Sequence, residues 1–158
     1  MAREIIFLCK ENLDTLITFE ANARETETEI FTTDFDRKAL RDATAAALDN
    51  PLYASARCML CMDGTEVIGR LDFVLLPSLA FGGEVRVYVD WVYVLKTRRG
   101  EGVARFLFDE MEKYIRTLGV GEYFLITAQN EEARRFYNGF AGAENATQKV
   151  MTRRIGDD

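Results

Sequence analysis

Residues 84–118 read EVRVYVDWVYVLKTRRGEGVARFLFDEMEKYIRTL, and the period of their apolar positions changes part-way along. Over 84–95 the spacing is two. Val85, Val87, Val89, Trp91 and Tyr93 fall on one side, while Arg86, Tyr88, Asp90, Val92 and Val94 fall on the other. That alternation predicts a strand with one core face and one mixed face able to line a cleft. From Gly102 the spacing becomes 3.6: Val103, Phe106, Leu107, Met111, Tyr114, Ile115 and Leu118 mark one stripe of an amphipathic helix that stops before Gly119. A short apolar run at 123–127 follows. Strand, helix and strand in that order predict a parallel pair joined by a right-handed crossover.

Upstream, 4–9 reads as a strand and 12–24 as a helix with Leu13, Leu16, Ile17 and Ala21 on one side. A second helix is expected over 34–49, capped near Thr33 or Asp34 and ended by Asn50-Pro51. Strands at 53–62 and 66–76 meet at Asp63-Gly64, a dipeptide suited to a tight hairpin. Downstream, 130–140 reads as a helix and 149–155 as a last strand. The fold class is therefore α/β of the α+β type: a mixed, mainly antiparallel central sheet with one parallel strand pair and helices on both faces. No repeat or linker interrupts the chain, so one domain over 1–158 is expected.

The totals narrow the chemistry. A chain of 158 residues buries roughly 68–70% of its unfolded surface, enough for a core without staples. Twenty basic against 26 acidic side chains leave a charge of −6, which repels phosphate backbones and argues against nucleic acid as a partner. There is no histidine, which excludes Ser-His and Cys-His nucleophile pairs, imidazole bases and histidine-ligated metals. Three cysteines favour a reducing compartment, and Cys58 and Cys61, three apart on a strand, point to opposite faces and read as core packing. No run approaches the length of about 18 apolar residues that a membrane helix needs. Met1-Ala2-Arg3-Glu4 lacks the plan of a signal peptide, so the expectation is a cytoplasmic protein with no membrane partner.

The turn between the long strand and its helix, Lys96-Thr97-Arg98-Arg99-Gly100-Glu101-Gly102-Val103-Ala104, carries small residues where the helix begins. Such a start offers unpaired N–H groups and the positive end of the helix dipole to an anion. Read more plainly, it is a helix start with glycines for turn geometry. It is not a P-loop, because no Gly-Lys occurs in the chain, and Arg105 stands where a dinucleotide fingerprint needs its third glycine.

With Val94, Arg99, Gly100, Gly102 and Ala104 in that order, the turn resembles the V-x-x-x-x-R-G-x-G-x-[GA] cofactor loop of the GNAT superfamily of CoA-dependent N-acyltransferases. Asn130, Ala133, Phe136 and Tyr137 match a second family pattern on a later helix. The sequence departs from the family at Ala141, where glycine is usual, and the stretch from 141 to 148 is short.

The resemblance implies acetyl-CoA as co-substrate, with no metal. Main-chain groups of Val92 and Val94 would pair with the pantetheine arm, the amides of Arg99, Gly100, Glu101, Gly102, Val103 and Ala104 would hold the diphosphate, and Asn130 would touch the cofactor near its thiol. It assigns Tyr137 as general acid toward the leaving thiolate; the plainer reading has Tyr137 extend the packing face of Ala133, Phe136 and Phe140. It sets Asp90 where many members carry a glutamate base, acting through water; the plainer reading pairs Asp90 with Arg86 or Arg70. The acceptor would be a primary amine of a small molecule or peptide, and Glu25, Glu27, Glu29, Asp34 and Asp36 hint at a cationic one, although a solvated acidic loop explains them too. Homodimers are a family expectation. From another class comes a non-catalytic acyl-CoA or ligand-binding module on the same fold.

Overall fold

The structure, a computed structural model, describes residues 2–32 and 34–154. Two compact units divide the chain, Met1–Ile126 and Thr127–Asp158. The first holds strands β1 (Glu4–Phe7), β2 (Ala56–Asp63), β3 (Glu66–Ser78), β4 (Glu84–Val94) and β5 (Tyr123–Leu125), with helices α1 (Leu13–Thr26), α2 (Arg37–Asp49) and α3 (Val103–Thr117). The second holds α4 (Glu131–Asn138). The strands lie in the order β1-β2-β3-β4-β5, antiparallel except for the parallel pair β4 and β5. This is the mixed sheet expected from the sequence.

Neighbouring residues of β3 show how the layers are built. The Gly69 position looks into α3: a Cβ there would stand 2.8 Å from Val103 Cγ1 and 3.1 Å from Leu107 Cδ1. Arg70 turns the other way and reaches Glu20 of α1. On the α3 side, Leu71, Phe73, Val87, Leu107, Phe108 and Met111 are fully buried. On the α1 side, Leu16, Phe19, Ala23, Leu60, Met62, Tyr93 and Leu95 form a second apolar cluster, and α2 packs against α1. Cys58 joins that cluster while Cys61 pairs across to Gly69 and so faces α3; both are free thiols.

Four local expectations are corrected. α2 starts at Arg37, because the Asp36 carboxylate accepts the Ala39 N–H at 2.9 Å and so caps the helix there; the proposed cap Thr33 lies outside the described residues. β2 starts only at Ala56, since Asn50 caps a 3-10 turn at Pro51–Tyr53. Among the described residues 149–154 no strand forms, and Ile155 lies outside them. The fourth concerns β4. Phe73 pairs with Val89 but Asp72 pairs with Trp91, which leaves Asp90 as the extra residue of a bulge. Across the bulge the alternation inverts. Val87 and Val89 share the α3 side with Phe73, whereas Trp91 and Tyr93 share the α1 side with Asp72 and Arg70. The five residues expected on one face are therefore split between two.

Candidate active site

β4 pairs with β5 only over Val87–Val89. Leu95 donates its amide to Ile68 on β3 at 3.1 Å, so alternation turns the main-chain groups of Val94 and Val92 toward the other edge, beyond the last pair with β5. The chain then makes a 3-10 turn, Lys96–Arg98, and enters α3 through Gly100 at φ +80° and Gly102 at φ +78°. The left-handed region strains a side chain, which explains glycine at both places. Nothing lies within 4 Å of a Cβ built on either. Among the described residues no hydrogen bond engages the N–H of Gly100, Glu101, Gly102, Val103 or Ala104. Five donors and a helix dipole thus open on one turn.

The side chains of that turn are spoken for. Arg98 ion-pairs with Asp63 and, at 3.2 Å, with both Glu66 and Glu101. Arg3 holds the Glu101 carboxylate at 3.2 Å and its carbonyl at 2.9 Å. Arg99 donates to both Glu27 carboxylate oxygens, at 3.0 and 2.6 Å, and to the Val94 carbonyl at 3.3 Å. The Arg99 guanidinium is thereby committed to Glu27 and the Val94 carbonyl. Glu27 also accepts the Tyr93 hydroxyl. Burial raises the Glu27 carboxyl, but the hydrogen bonds from Tyr93 and Arg99 outweigh it and hold the group below its ordinary value. Burial, then the Glu27 hydrogen bond, pushes Tyr93 up to about 12.

On the α1 side a cleft of about 280 Å³ is lined by Glu20, Arg24, Phe31, Arg70, Asp72, Asp90, Trp91 and Tyr93, with Ala23. A relay of ion pairs crosses it: Arg24 to Glu20, Glu20 to Arg70 and Arg70 to Asp72, each at 2.5 Å. Arg70 is thereby taken, and Arg86 sits near Glu84 and Glu122 instead. Among the described residues the Asp90 side chain makes neither ion pair nor hydrogen bond. The expected pairing with Arg86 or Arg70 is absent, and the bulge leaves Asp90 and Trp91 exposed in the cleft, Trp91 at 44%.

The model of the acetyltransferase (GNAT) family matches residues 20–140. The chain belongs to the GNAT family. The ribosomal-protein-alanine N-acetyltransferase of Brucella melitensis biovar Abortus 2308 shares this GNAT fold with a TM-score of 0.71 at 19% identity, over 97% of this chain and 100% of that one. An aminoglycoside acetyltransferase from an uncultured soil metagenomic sample superposes with a TM-score of 0.73 at 17% identity, over 98% and 100%. A possible acetyltransferase of Clostridium difficile 630 gives 0.72 at 19%, over 99% and 100%. No curated protein matches the chain.

In the second unit of this GNAT chain, Asn130 caps α4 by accepting the Ala133 N–H at 2.8 Å. Tyr137 lines a polar cleft of about 290 Å³ with Thr127, Gln129, Asn130 and Arg134. Its ring packs on Phe136 and Phe140, with centroids 5.1 and 6.2 Å away, and burial raises its hydroxyl above the ordinary value. Of the acidic residues read as an acceptor signal, Glu27 is buried in an ion pair and Asp36 is a helix cap. Sequence reasoning missed Glu20, Arg70, Asp72 and Trp91 as cleft residues. The Arg70-x-Asp72 spacing on one strand face was the available signal. Among the described residues no group of three or more cysteine, aspartate and glutamate side chains is placed to hold a metal, and no helix is long and apolar enough to cross a membrane.

Proposed function

We propose that this GNAT acetyltransferase is an acetyl-CoA-dependent N-acetyltransferase, one domain over 1–158, which acetylates a primary amine of a small molecule or peptide by direct attack in a ternary complex. The observation that carries the reading is the row of unpaired amides from Gly100 to Ala104. Its donors, bare of side chains at two glycines, suit a diphosphate. The edge of β4 beyond β5, where Arg99 takes the Val94 carbonyl but leaves the Val94 N–H and the main-chain groups of Val92, suits the amides of a pantetheine arm. The family's thioester supplies an acyl carbon that an amine can attack.

The chain's own residues then divide the work. Asp90 receives the amine's proton, through water because aspartate is short; a lysine-like amine with a pKa near 10.4 is neutral in only about one molecule in a thousand at pH 7.4. Trp91 offers a ring face beside it for a cation. Tyr137, its pKa raised by burial, stays protonated at neutral pH and donates a hydrogen bond that strengthens as charge gathers on the leaving sulfur. Asn130 orients the cofactor near its thiol end. Asp90, Glu20 and Asp72 against Arg24 and Arg70 leave the cleft one negative charge in excess, which favours a cationic acceptor. One structural neighbour was solved in complex with sisomicin, an aminoglycoside acetyltransferase at 14% identity. Three free cysteines suit the cytoplasm, and pairing into a homodimer is what the family resemblance implies.

Two measurements decide the matter. Calorimetry should find coenzyme A bound by the wild type and weakened by Gly102→Val, whose φ of +78° a β-branched residue resists. Mass spectrometry of polyamines, aminoglycosides, amino acids and peptide N-termini, each incubated with enzyme and acetyl-CoA, should show one amine gaining an acetyl group. Binding without turnover across such a panel would favour the non-catalytic module.

A further inference from the structure

Glu27 is the one charged residue at the end of α1 that the fold buries, at 6% exposure. Its main chain is fixed on both sides. The N–H donates to the Ala23 carbonyl at 3.0 Å, and its own carbonyl accepts the N–H groups of Ile30 and Phe31 at 3.1 Å each. Its carboxylate is fixed as well, by Tyr93 and by two nitrogens of Arg99. With three donors already on its oxygens and only 6% of its surface exposed, Glu27 is engaged inside the fold and not turned toward a cationic acceptor. What it does hold is Arg99, the residue immediately before the open row of amides.

Arg99 needs such a hold. The two residues with left-handed backbone that follow, Gly100 and Gly102, have the wide conformational freedom of glycine, and nothing lies within 4 Å of a Cβ built on either position. A turn of that kind keeps five amides aimed in one direction only if its ends are fixed. The far end is fixed by α3 and the near end by Arg99, whose third nitrogen donates to the Val94 carbonyl and whose guanidinium lies 5.5 Å from the centre of the Tyr93 ring. Tyr93 meanwhile forms part of the wall of the α1-side cleft, with Phe31 edge-on at 5.3 Å.

We infer that Glu27 is a positioning residue for the cofactor turn: its carboxylate fixes Arg99, and Arg99 fixes the amides that follow, so that Arg99 serves as a strut and not as a charge placed on the cofactor. The inference rests on reading that turn as the coenzyme A site. It reverses the sign of an effect. An arginine that contacts diphosphate directly would be released by loss of its internal partner, and affinity would rise. An arginine that acts as a strut loses its anchor, and affinity falls.

The test is calorimetric titration of coenzyme A into the wild type, Glu27→Gln, Arg99→Gln and the double variant, with 15N relaxation of the unliganded proteins. The expected result is a fall of about tenfold in affinity for each single variant, the scale of a lost preorganising contact, and no further fall in the double variant. The order parameters of the Gly100 and Gly102 amides should drop toward the flexible range, below about 0.6, in Glu27→Gln. Tighter binding by Glu27→Gln, additive losses, or unchanged order parameters would each overturn the inference. Should Glu27→Gln fail to fold, Tyr93→Phe keeps the ion pair but removes one of its three donors; it should weaken binding in the same direction, and a gain would overturn the inference equally. A wild type that binds no coenzyme A would remove the reading of the site, and the order parameters alone would then decide whether Glu27 holds the turn.

Discussion

The two faces of the sheet solve different problems with the same strands. Toward α3, Leu71, Phe73, Val87, Leu107, Phe108 and Met111 make a dry layer in which Gly69 lets helix and strand approach closely. Toward α1, the apolar cluster around Phe19 and Tyr93 is interrupted by two sets of ion pairs, Glu27 with Arg99 and the relay from Arg24 to Asp72. The bulge at Asp90 is where β4 passes from serving the first face to serving the second. Dry packing specifies the fold without specifying chemistry, whereas satisfied ion pairs add little net stability and fix the directions of polar groups. Damage to the α3 face should therefore appear in stability with the substrate constants spared. Damage to the α1 face should appear in the rate or the substrate constants, with a cost in stability only where it leaves a buried partner unpaired.

The largest effect that could break this division comes from the dry face. Leu107 is fully buried against Gly69, and Leu107→Ala should cost about 2–5 kcal/mol in urea unfolding through lost contacts and a residual cavity. The KM values for acetyl-CoA and for the acceptor should stay within twofold of the wild type, a bound set by the locality of such losses. A large change in either KM with a small change in stability would put the α3 face in the site.

Asp90→Asn makes the converse case. Among the described residues nothing pairs with the carboxylate, so the unfolding midpoint should not move. The rate at pH 7 should fall by about 100-fold, the low end of general-base contributions, and recover as the pH rises and the amine loses its proton unaided. A pH-rate profile identical to that of the wild type would remove Asp90 from the reaction.

A smaller effect belongs to acid. Glu27 is held below its ordinary value, so its contribution is complete above the unfolded carboxyl pKa, about 4.3, and disappears as the pH falls through the folded value. The stability of the wild type should exceed that of Glu27→Gln by about 1–3 kcal/mol at pH 7, the cost of unsatisfied hydrogen bonds at a charged group. The gap should close in the acid range, where glutamine and protonated glutamate make nearly the same bonds. A gap that persists at pH 3 would mean the side chain acts through shape and not through charge.

These tests fall on residues that the sequence revealed unequally. The change of period at Gly102, the Asp63-Gly64 hairpin and the glycine spacing of the turn are local signals, and the elements they announce stand where expected within a few residues. The bulge is not local. Residues 84–94 alternate without a break, and the extra residue at Asp90 exists only because Phe73 and Asp72 pair with Val89 and Trp91. Glu27 and Arg99 are separated by 72 residues and Glu20 and Arg70 by 50, so no window of sequence contains either pair. Glu27 looked like part of an acidic run, since composition cannot tell a solvated carboxylate from one that the fold will bury against arginine.

The smallest effect takes the same separation of duties to the second unit, where Asn130 has two claims on it. Its side-chain oxygen caps α4 through the Ala133 N–H, and a cap of this kind is worth about 1 kcal/mol. Its side-chain nitrogen is the group with which it would meet a cofactor. Asn130→Ala removes both, so its loss of stability and any loss of coenzyme A affinity would be inseparable. Asn130→Asp keeps an oxygen in the capping position, where a negative charge at a helix start is favourable, and deletes only the donor. Thermal unfolding of the aspartate variant should match the wild type while its affinity for coenzyme A drops by a few fold, the scale of one hydrogen bond. Equal affinity in the aspartate variant would confine Asn130 to capping and leave cofactor recognition in this chain to main-chain amides.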